Sequence, residues 1–368
     1  VEGAWVLPPP SGVAWKAVVH FTGGAFASIL PQLTYRLFLE RLANRGIFVV
    51  ATPFSTSFDY NRCAAEAFMA FDRVQDTMAG EIDPLSLSAF ESLPVYGIGH
   101  SLGSVVQVLG SCQFPYLTRE GVVLMSWNNK PATDAIPLLS VLLGSDLSAS
   151  GLGAAGPLLN SLLSSPGQVS NLMSVLQTLG ISSDQTEQLM PVLEQIRRIN
   201  QDMATGDLNF TPGPEQIKEI IARQYSTKNN LLIKFRDDDI DETSDIHAKL
   251  DSLAYFPKVE KVELSGGHAR PLAQPLPEGY SDIRTGAETA TRFIDQFSKS
   301  AMAEELGLTQ LGKGLGSLGR TFLDQMPGES GSGGAAMPEQ DIDLVVDVVI
   351  AWMEGRVEDY QTHLTTTF

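Results

Sequence analysis

The chain is short of cysteine, of positive charge and of long apolar runs, and each shortage removes a class of protein. Two cysteines in 368 residues, Cys63 and Cys112, are too few for a disulfide framework. That scarcity suits a reducing compartment better than secretion. No run of about 18 apolar residues occurs, so no membrane-spanning helix is expected, which leaves only peripheral membrane association open. Lys and Arg total 25 against 43 Asp and Glu, a formal net charge of −18, and no basic cluster interrupts that balance. Such a chain repels phosphate backbones, so nucleic acid is not an expected partner. No His, Cys or Asp group has ligand spacing of the H-E-x-x-H kind, and neither a metal nor another cofactor is expected. The glycine-rich stretch 312–319 follows no strand and does not read as a phosphate-binding loop.

What is present is a recurring alternation. Short apolar runs stand at residues 17–21 (AVVHF), 47–52 (IFVVAT), 93–98 (LPVYGI), 122–127 (VVLMSW), 231–235 (LLIKF) and 259–264 (VEKVEL). Helical spacing fills 30–45, 61–78 and 101–111 between them. Strands alternating with helices predict an α/β protein with a mostly parallel sheet flanked by helices. The near-continuous apolar runs suit strands covered on both faces.

Residues 1–130 and 231–300 are therefore expected to form the core. The alternation stops at 131–230, where no strand is legible. There a Gly, Ser, Ala and Leu-rich stretch leads to an amphipathic one at 186–200, with Leu189, Val192, Leu193 and Ile196 on one face. This reads as an inserted helical cap or lid. Residues 301–340 read as a flexible Gly/Ser-rich linker, and 341–368 as a C-terminal helix and tail. Helical spacing over 339–354 lines up Ile342, Val345, Val346, Val349, Ile350 and Met353. That stripe must be buried, on the domain itself or on a protein partner.

The chemistry centres on Gly99-His100-Ser101-Leu102-Gly103, a G-x-S-x-G string. The string alone is weak, but it directly follows one apolar run and directly precedes a helical stretch. That strand–turn–helix setting is what a nucleophile elbow requires. Ser101 then stands at the start of a helix, whose free N–H groups favour developing negative charge.

A serine hydroxyl needs a base, and the base needs an orienting acid. On such an elbow the chain order is Ser, then Asp or Glu, then His. Of the five histidines, His20 and His100 precede or adjoin the serine. His247 lies on a polar helix-like stretch before the last strand, and His363 lies in the tail. His268 follows the last strand in a Gly266-Gly267-His268 turn, where the base belongs. The acid belongs after the strand before it, in Asp237-Asp238-Asp239-Ile240-Asp241. An acid two residues before an apolar anchor, here Ile240, favours Asp238, with Asp239, Asp237 and Asp241 as alternatives. For the oxyanion hole the expected donors are the N–H of Leu102 and that of Gly23 or Gly24, in the turn after the first strand. Asn128 and Asn129 follow the fourth strand at the same rim. They either line a substrate pocket or stabilise a turn.

Several segments together resemble the α/β-hydrolase family known as domain of unknown function 1350, of plants, algae and cyanobacteria. They are HFTGGAFASILPQLTYRLFLERLANRGIFVVATPF (20–54), LPVYGIGHSLG (93–103), MSWNNKPATDAIPLL (125–139), NNLLIKFRDDDIDET (229–243) and GGHARPLAQ (266–274). Pro31-Gln32-Leu33-Thr34-Tyr35-Arg36 and Asn128-Asn129-Lys130-Pro131 are more specific than the G-x-S-x-G string. The resemblance implies an α/β-hydrolase fold with a helical cap and a C-terminal helical extension. It also implies a chloroplast location, in the stroma or peripheral to the thylakoid, with a transit peptide ahead of Val1. It supplies no substrate. The expectation is a serine hydrolase acting through Ser101, Asp238 and His268 on an ester or acyl bond, with a hydrophobic or lipid-like substrate hinted by the apolar segment 152–176. An acyltransferase would use the same residues. The alternative is a non-catalytic chloroplast scaffold or assembly factor, since fold does not dictate function.

Overall fold

The computed structural model describes residues 1–25, 27–81, 90, 92–130, 209–272 and 339–361. The chain divides into two compact units: Val1–Lys130, Phe210–Gln274 and Met337–Phe368 form one, and Pro131–Asn209 with Pro275–Ala336 the other. All described residues but Asn209 belong to the first. Of the expected cap over 131–230, residues 131–208 lie outside the described residues, as do 273–300 of the expected core, which group from Pro275 onward with the second unit, and 301–338 of the linker.

Among the described residues seven strands form one sheet: β1 (Trp5–Leu7), β2 (Ala17–Thr22), β3 (Ile47–Ala51), β4 (Val95–His100), β5 (Gly121–Met125), β6 (Asn229–Phe235) and β7 (Lys258–Leu264). Their order is β1-β3-β2-β4-β5-β6-β7, and every pair is parallel except β1 with β3. β2, β3 and β5 are buried at every residue, as near-continuous apolar runs require. β1 was not legible in the sequence. It has three residues, half exposed at the edge, too few for any alternation to register.

Side chains of the central strands point alternately to two layers. Val19, Phe21, Val49, Ile98, Val123 and Ile233 share one cluster with helix α2 (Arg36–Asn44), which follows the single turn α1 (Pro31–Thr34), and with helix α7 (Glu339–Met353), which comes after α6 (Thr243–Asp251) in the chain. Val18, Phe48 and Val50 face the other way, onto Phe71 and Val74 of α3 (Tyr60–Glu81). Helix α4 (Leu102–Gln113) is buried along almost its whole length and packs on α3 and β4. Cys63 and Cys112 are both buried and unpaired.

One expectation needs correction. Residues 210–230 belong with the core and not with the insertion. Helix α5 (Pro214–Gln224) lays Ile217 and Ile221, one turn apart and both buried, toward the core and contacts α4. Parallel neighbours β5 and β6 need a crossover helix, and α5 supplies it. Of the two readings of the C-terminal stripe, burial on the domain itself is the one observed. Ile342, Val345, Val346 and Val349 are at most 1% exposed and join the main core cluster, while Arg41 pairs with Asp343 at 3.0 Å and Arg45 with Asp347. The domain itself covers that face, because α2 offers both the apolar groove and the matching charges. Among the described residues no helix is long and apolar enough to cross a membrane.

Candidate active site

β4 sits beside β2, where the strand order reverses direction, and Ser101 follows at its carboxyl end. In open α/β sheets that switch point is where reacting groups gather. Ser101 has φ 56° and ψ −124°, a backbone state that L-residues rarely adopt. The flanking glycines make the turn feasible. A Cβ on Gly99 would lie 2.4 Å from the carbonyl oxygen of Gly103. The bend is clamped on both sides, Ser101 N–H donating to Met125 O at 2.9 Å and Ser104 N–H to Ser101 O at 2.8 Å.

His268 reaches the elbow from the turn after β7. Its Nε2 is 2.8 Å from Ser101 Oγ, and its Nδ1 is 2.9 Å from Asp238 Oδ2. A carboxylate only accepts, so Nδ1 carries the proton and the Nε2 lone pair faces the serine hydroxyl. The other Asp238 oxygen accepts the Ile240 N–H at 3.1 Å. The Asp238 side chain is fully enclosed, while Asp237 and Asp239 are exposed. The Asp241 side chain is enclosed as well, but it accepts from the backbone and hydroxyl of Thr243. Burial alone would raise the Asp238 carboxyl. The hydrogen bond and charge of His268 and the Ile240 N–H outweigh it and hold the group below the usual carboxylate range.

The expected oxyanion donors are distributed unequally. Leu102 opens α4 at its first position, where no carbonyl four residues back belongs to the helix. Gly23 and Gly24 abut the elbow, and a Cβ on Gly24 would lie 3.2 Å from Ser101 Cβ. The Gly24 N–H, however, donates to Tyr35 Oη at 2.8 Å. It is therefore not the free donor expected of it, because a buried tyrosine takes it first.

The asparagine pair ties loops together. Asn128 Oδ1 accepts the Lys130 N–H, Asn129 N–H donates to Glu242, and Asn129 Nδ2 donates to Pro214 O. The first bond closes a turn, and the other two tie that turn to Glu242 and Pro214. Two residues passed over in the sequence stand out instead. His100 and Tyr35 are buried together, with Tyr35 Oη 2.8 Å from His100 Nδ1 and His100 Nε2 2.8 Å from His268 O. Chain order excludes His100 as the base, and nothing in the sequence links it to Tyr35. The remaining described histidines are elsewhere: His20 accepts from the Arg119 guanidinium inside the core, and His247 pairs with Asp251 on the helix Thr243–Asp251. His363 lies outside the described residues. Among the described residues no cluster of three His, Cys, Asp or Glu could hold a metal ion.

Sheet order, elbow and flanking helices define the α/β-hydrolase class. Within it, the chain belongs to the family described as protein of unknown function DUF1350, whose model matches residues 1–313. It is similar in structure to the thioesterase domain from the curacin biosynthetic pathway, at 16% identity over 78% of this chain and 94% of that one, TM-score 0.39. It is similar also to the 2-hydroxy-6-oxo-6-phenylhexa-2,4-dienoate hydrolase of Rhodococcus sp. strain RHA1, at 15% identity over 78% of this chain and 93% of that one, TM-score 0.40. A third is the thermostable carboxyl esterase of Bacillus coagulans, at 15% identity over 72% and 85%, TM-score 0.37. No curated protein matches the chain.

Proposed function

We propose that the protein is a serine hydrolase that cleaves an ester or related acyl bond through an acyl-enzyme. The observation that carries this reading is His268, bonded through one ring nitrogen to Ser101 and through the other to Asp238. Ser101 Oγ attacks the acyl carbon while His268 Nε2 takes its proton. The tetrahedral oxyanion is stabilised by the Leu102 N–H and by the loop carrying Gly23, and one such donor contributes about 3 kcal/mol. His268 returns the proton to the leaving alcohol, which departs. Water then attacks the acyl-enzyme with His268 again as base, releasing the acid and regenerating Ser101. Asp238 holds the tautomer and stabilises the imidazolium without taking the proton.

A hydrophobic acyl group is part of the proposal and is supported by the apolar stretch 152–176 alone. A plastid location is supported by the family resemblance alone, and a fluorescent fusion of the full-length precursor would test it.

Purified protein should react with a fluorophosphonate probe, and Ser101→Ala should abolish the reaction. It should hydrolyse p-nitrophenyl esters, faster as the acyl chain lengthens. Product analysis with added alcohols separates a hydrolase from an acyltransferase. Absence of labelling, together with a stable co-purifying complex unaffected by Ser101→Ala, would sink the proposal in favour of a scaffold.

A further inference from the structure

The elbow holds a second histidine that takes no part in the proposed chemistry. His100 is 1% exposed, and it joins three segments far apart in the chain. Donor and acceptor roles follow from its neighbours. The main-chain oxygen of His268 can only accept, so His100 Nε2 carries a proton and donates across 2.8 Å. Burial first, and then the neighbouring His268, hold the His100 imidazole down at about 3, so it is neutral and Nδ1 presents a lone pair. Burial pushes the Tyr35 hydroxyl well above its ordinary value, so it keeps its proton. Tyr35 Oη–H therefore donates to Nδ1 across 2.8 Å, while Oη accepts the Gly24 N–H. The hydrogen bonds run in one direction, from the Gly24 loop through Tyr35 and His100 to the His268 carbonyl.

We infer that His100 is a positioning residue for His268: it anchors the main chain of the base so that the imidazole stays at Ser101 Oγ, and Tyr35 fixes the His100 tautomer while tying down the Gly24 loop beside the elbow. This rests on the reading of His268 as the base.

The need for an anchor is local. His268 follows Gly266, at φ +110°, and Gly267. Two successive glycines leave the backbone permissive. Neighbouring bonds from Asp237 N–H to Gly266 O and from Arg270 N–H to Gly267 O fix the ends of the turn. His100 holds the carbonyl of the base itself. A base displaced by about 1 Å loses roughly 100-fold in rate.

The test measures the rate of Ser101 labelling by a fluorophosphonate from about pH 5 to about pH 9, across the range in which a histidine base titrates. Wild type is compared with Ser101→Ala, His100→Leu, His100→Gln and Tyr35→Phe. His100→Leu should label roughly 10- to 100-fold more slowly and lose the rise of rate with pH that a positioned imidazole confers. His100→Gln, whose amide N–H can reach the same carbonyl, should recover most of that loss. Tyr35→Phe keeps the ring and its packing and should slow labelling about 10-fold. The downfield proton resonance of the His268–Asp238 hydrogen bond should shift or vanish in His100→Leu and persist in His100→Gln.

Unchanged rates and pH profiles in His100→Leu and Tyr35→Phe would overturn the positioning role and leave the serine-hydrolase reading standing. If His100→Leu fails to fold, Tyr35→Phe decides the matter. A wild-type protein that is not labelled at Ser101 overturns both.

Discussion

A Cβ on Gly103 would stand 2.1 Å from the main-chain oxygen of Thr22. Thr22 in turn donates its hydroxyl to the Gly103 carbonyl at 2.8 Å. Helix α4 thus meets strand β2 backbone to backbone, and this contact sets Ser101 beside the Gly23–Gly24 turn. Neither partner is a flexible side chain that can swing away. Gly103→Ala should destabilise the fold by at least about 3 kcal/mol or leave it insoluble. Urea titration of the soluble fraction checks this, and near-native stability would contradict the packing described.

The acidic run after β6 holds two enclosed carboxylates, Asp238 bonded to His268 and Asp241 bonded to Thr243, among exposed ones. Asp238→Asn removes the acceptor that fixes the His268 tautomer, and the turnover of an ester substrate should drop by roughly 10,000-fold. Asp237→Asn and Asp239→Asn alter exposed groups and should stay within about 2-fold of wild type. Equal effects at Asp238 and Asp239 would remove Asp238 from the role proposed for it.

Two buried imidazoles make the fold acid-sensitive. Burial, followed by neighbouring charge, holds His100 at about 3 and His20 well below 6.5. Unfolded, both take up protons near the ordinary value of about 6.5. Below that pH the unfolded chain therefore binds more protons than the native one, and stability falls as the pH falls. The slope reaches about 1.4 kcal/mol per pH unit for each group, and for His100 it persists down to its folded value. Asp238 acts lower still. Its depressed carboxyl stabilises fully above its unfolded value of 3.8 and loses that contribution only as the pH drops further. Unfolding free energies at about pH 7 and about pH 5 should show the decline, and a folded His100→Gln variant should flatten it by about one proton. A pH-independent stability over that interval would contradict the burial of both rings.

The C-terminal helix is a core element. Ile342, at 1% exposure, is enclosed in the main cluster, whereas Leu344 on the same helix is 36% exposed. Ile342→Ala should cost about 2–5 kcal/mol, and Leu344→Ala within about 0.5 kcal/mol. Arg270, two residues beyond His268 and 4% exposed, pairs with Asp341 at 2.8 Å, so loosening this helix should also slow the labelling of Ser101. Similar stabilities for the two alanine variants would contradict the docking of the helix.

Six parallel strands, the elbow spacing and the chain order of serine, acid and histidine were legible in the sequence, because each leaves a local trace. Buried strands read as continuous apolar runs, and a sharp turn demands small residues at set offsets. Helix α7 was legible for the same reason, as a stripe at helical period. Its covering was not, since Arg41 and Arg45 lie about 300 residues earlier and no period connects them to Asp343 and Asp347. Helix α5 read as part of the insertion because nothing in its own residues says which strand it must deliver. Only the tertiary structure decided which aspartate meets His268, that Tyr35 takes the Gly24 N–H, and that His100 holds the His268 carbonyl. The ring-to-carboxylate bond spans 30 positions, Tyr35 to His100 spans 65, and His100 to His268 spans 168. A polar side chain in a turn carries no mark of which distant carbonyl it will meet. That choice is made when the sheet brings the carboxyl ends of β2, β4, β6 and β7 to one rim and excludes the water that would otherwise satisfy every donor.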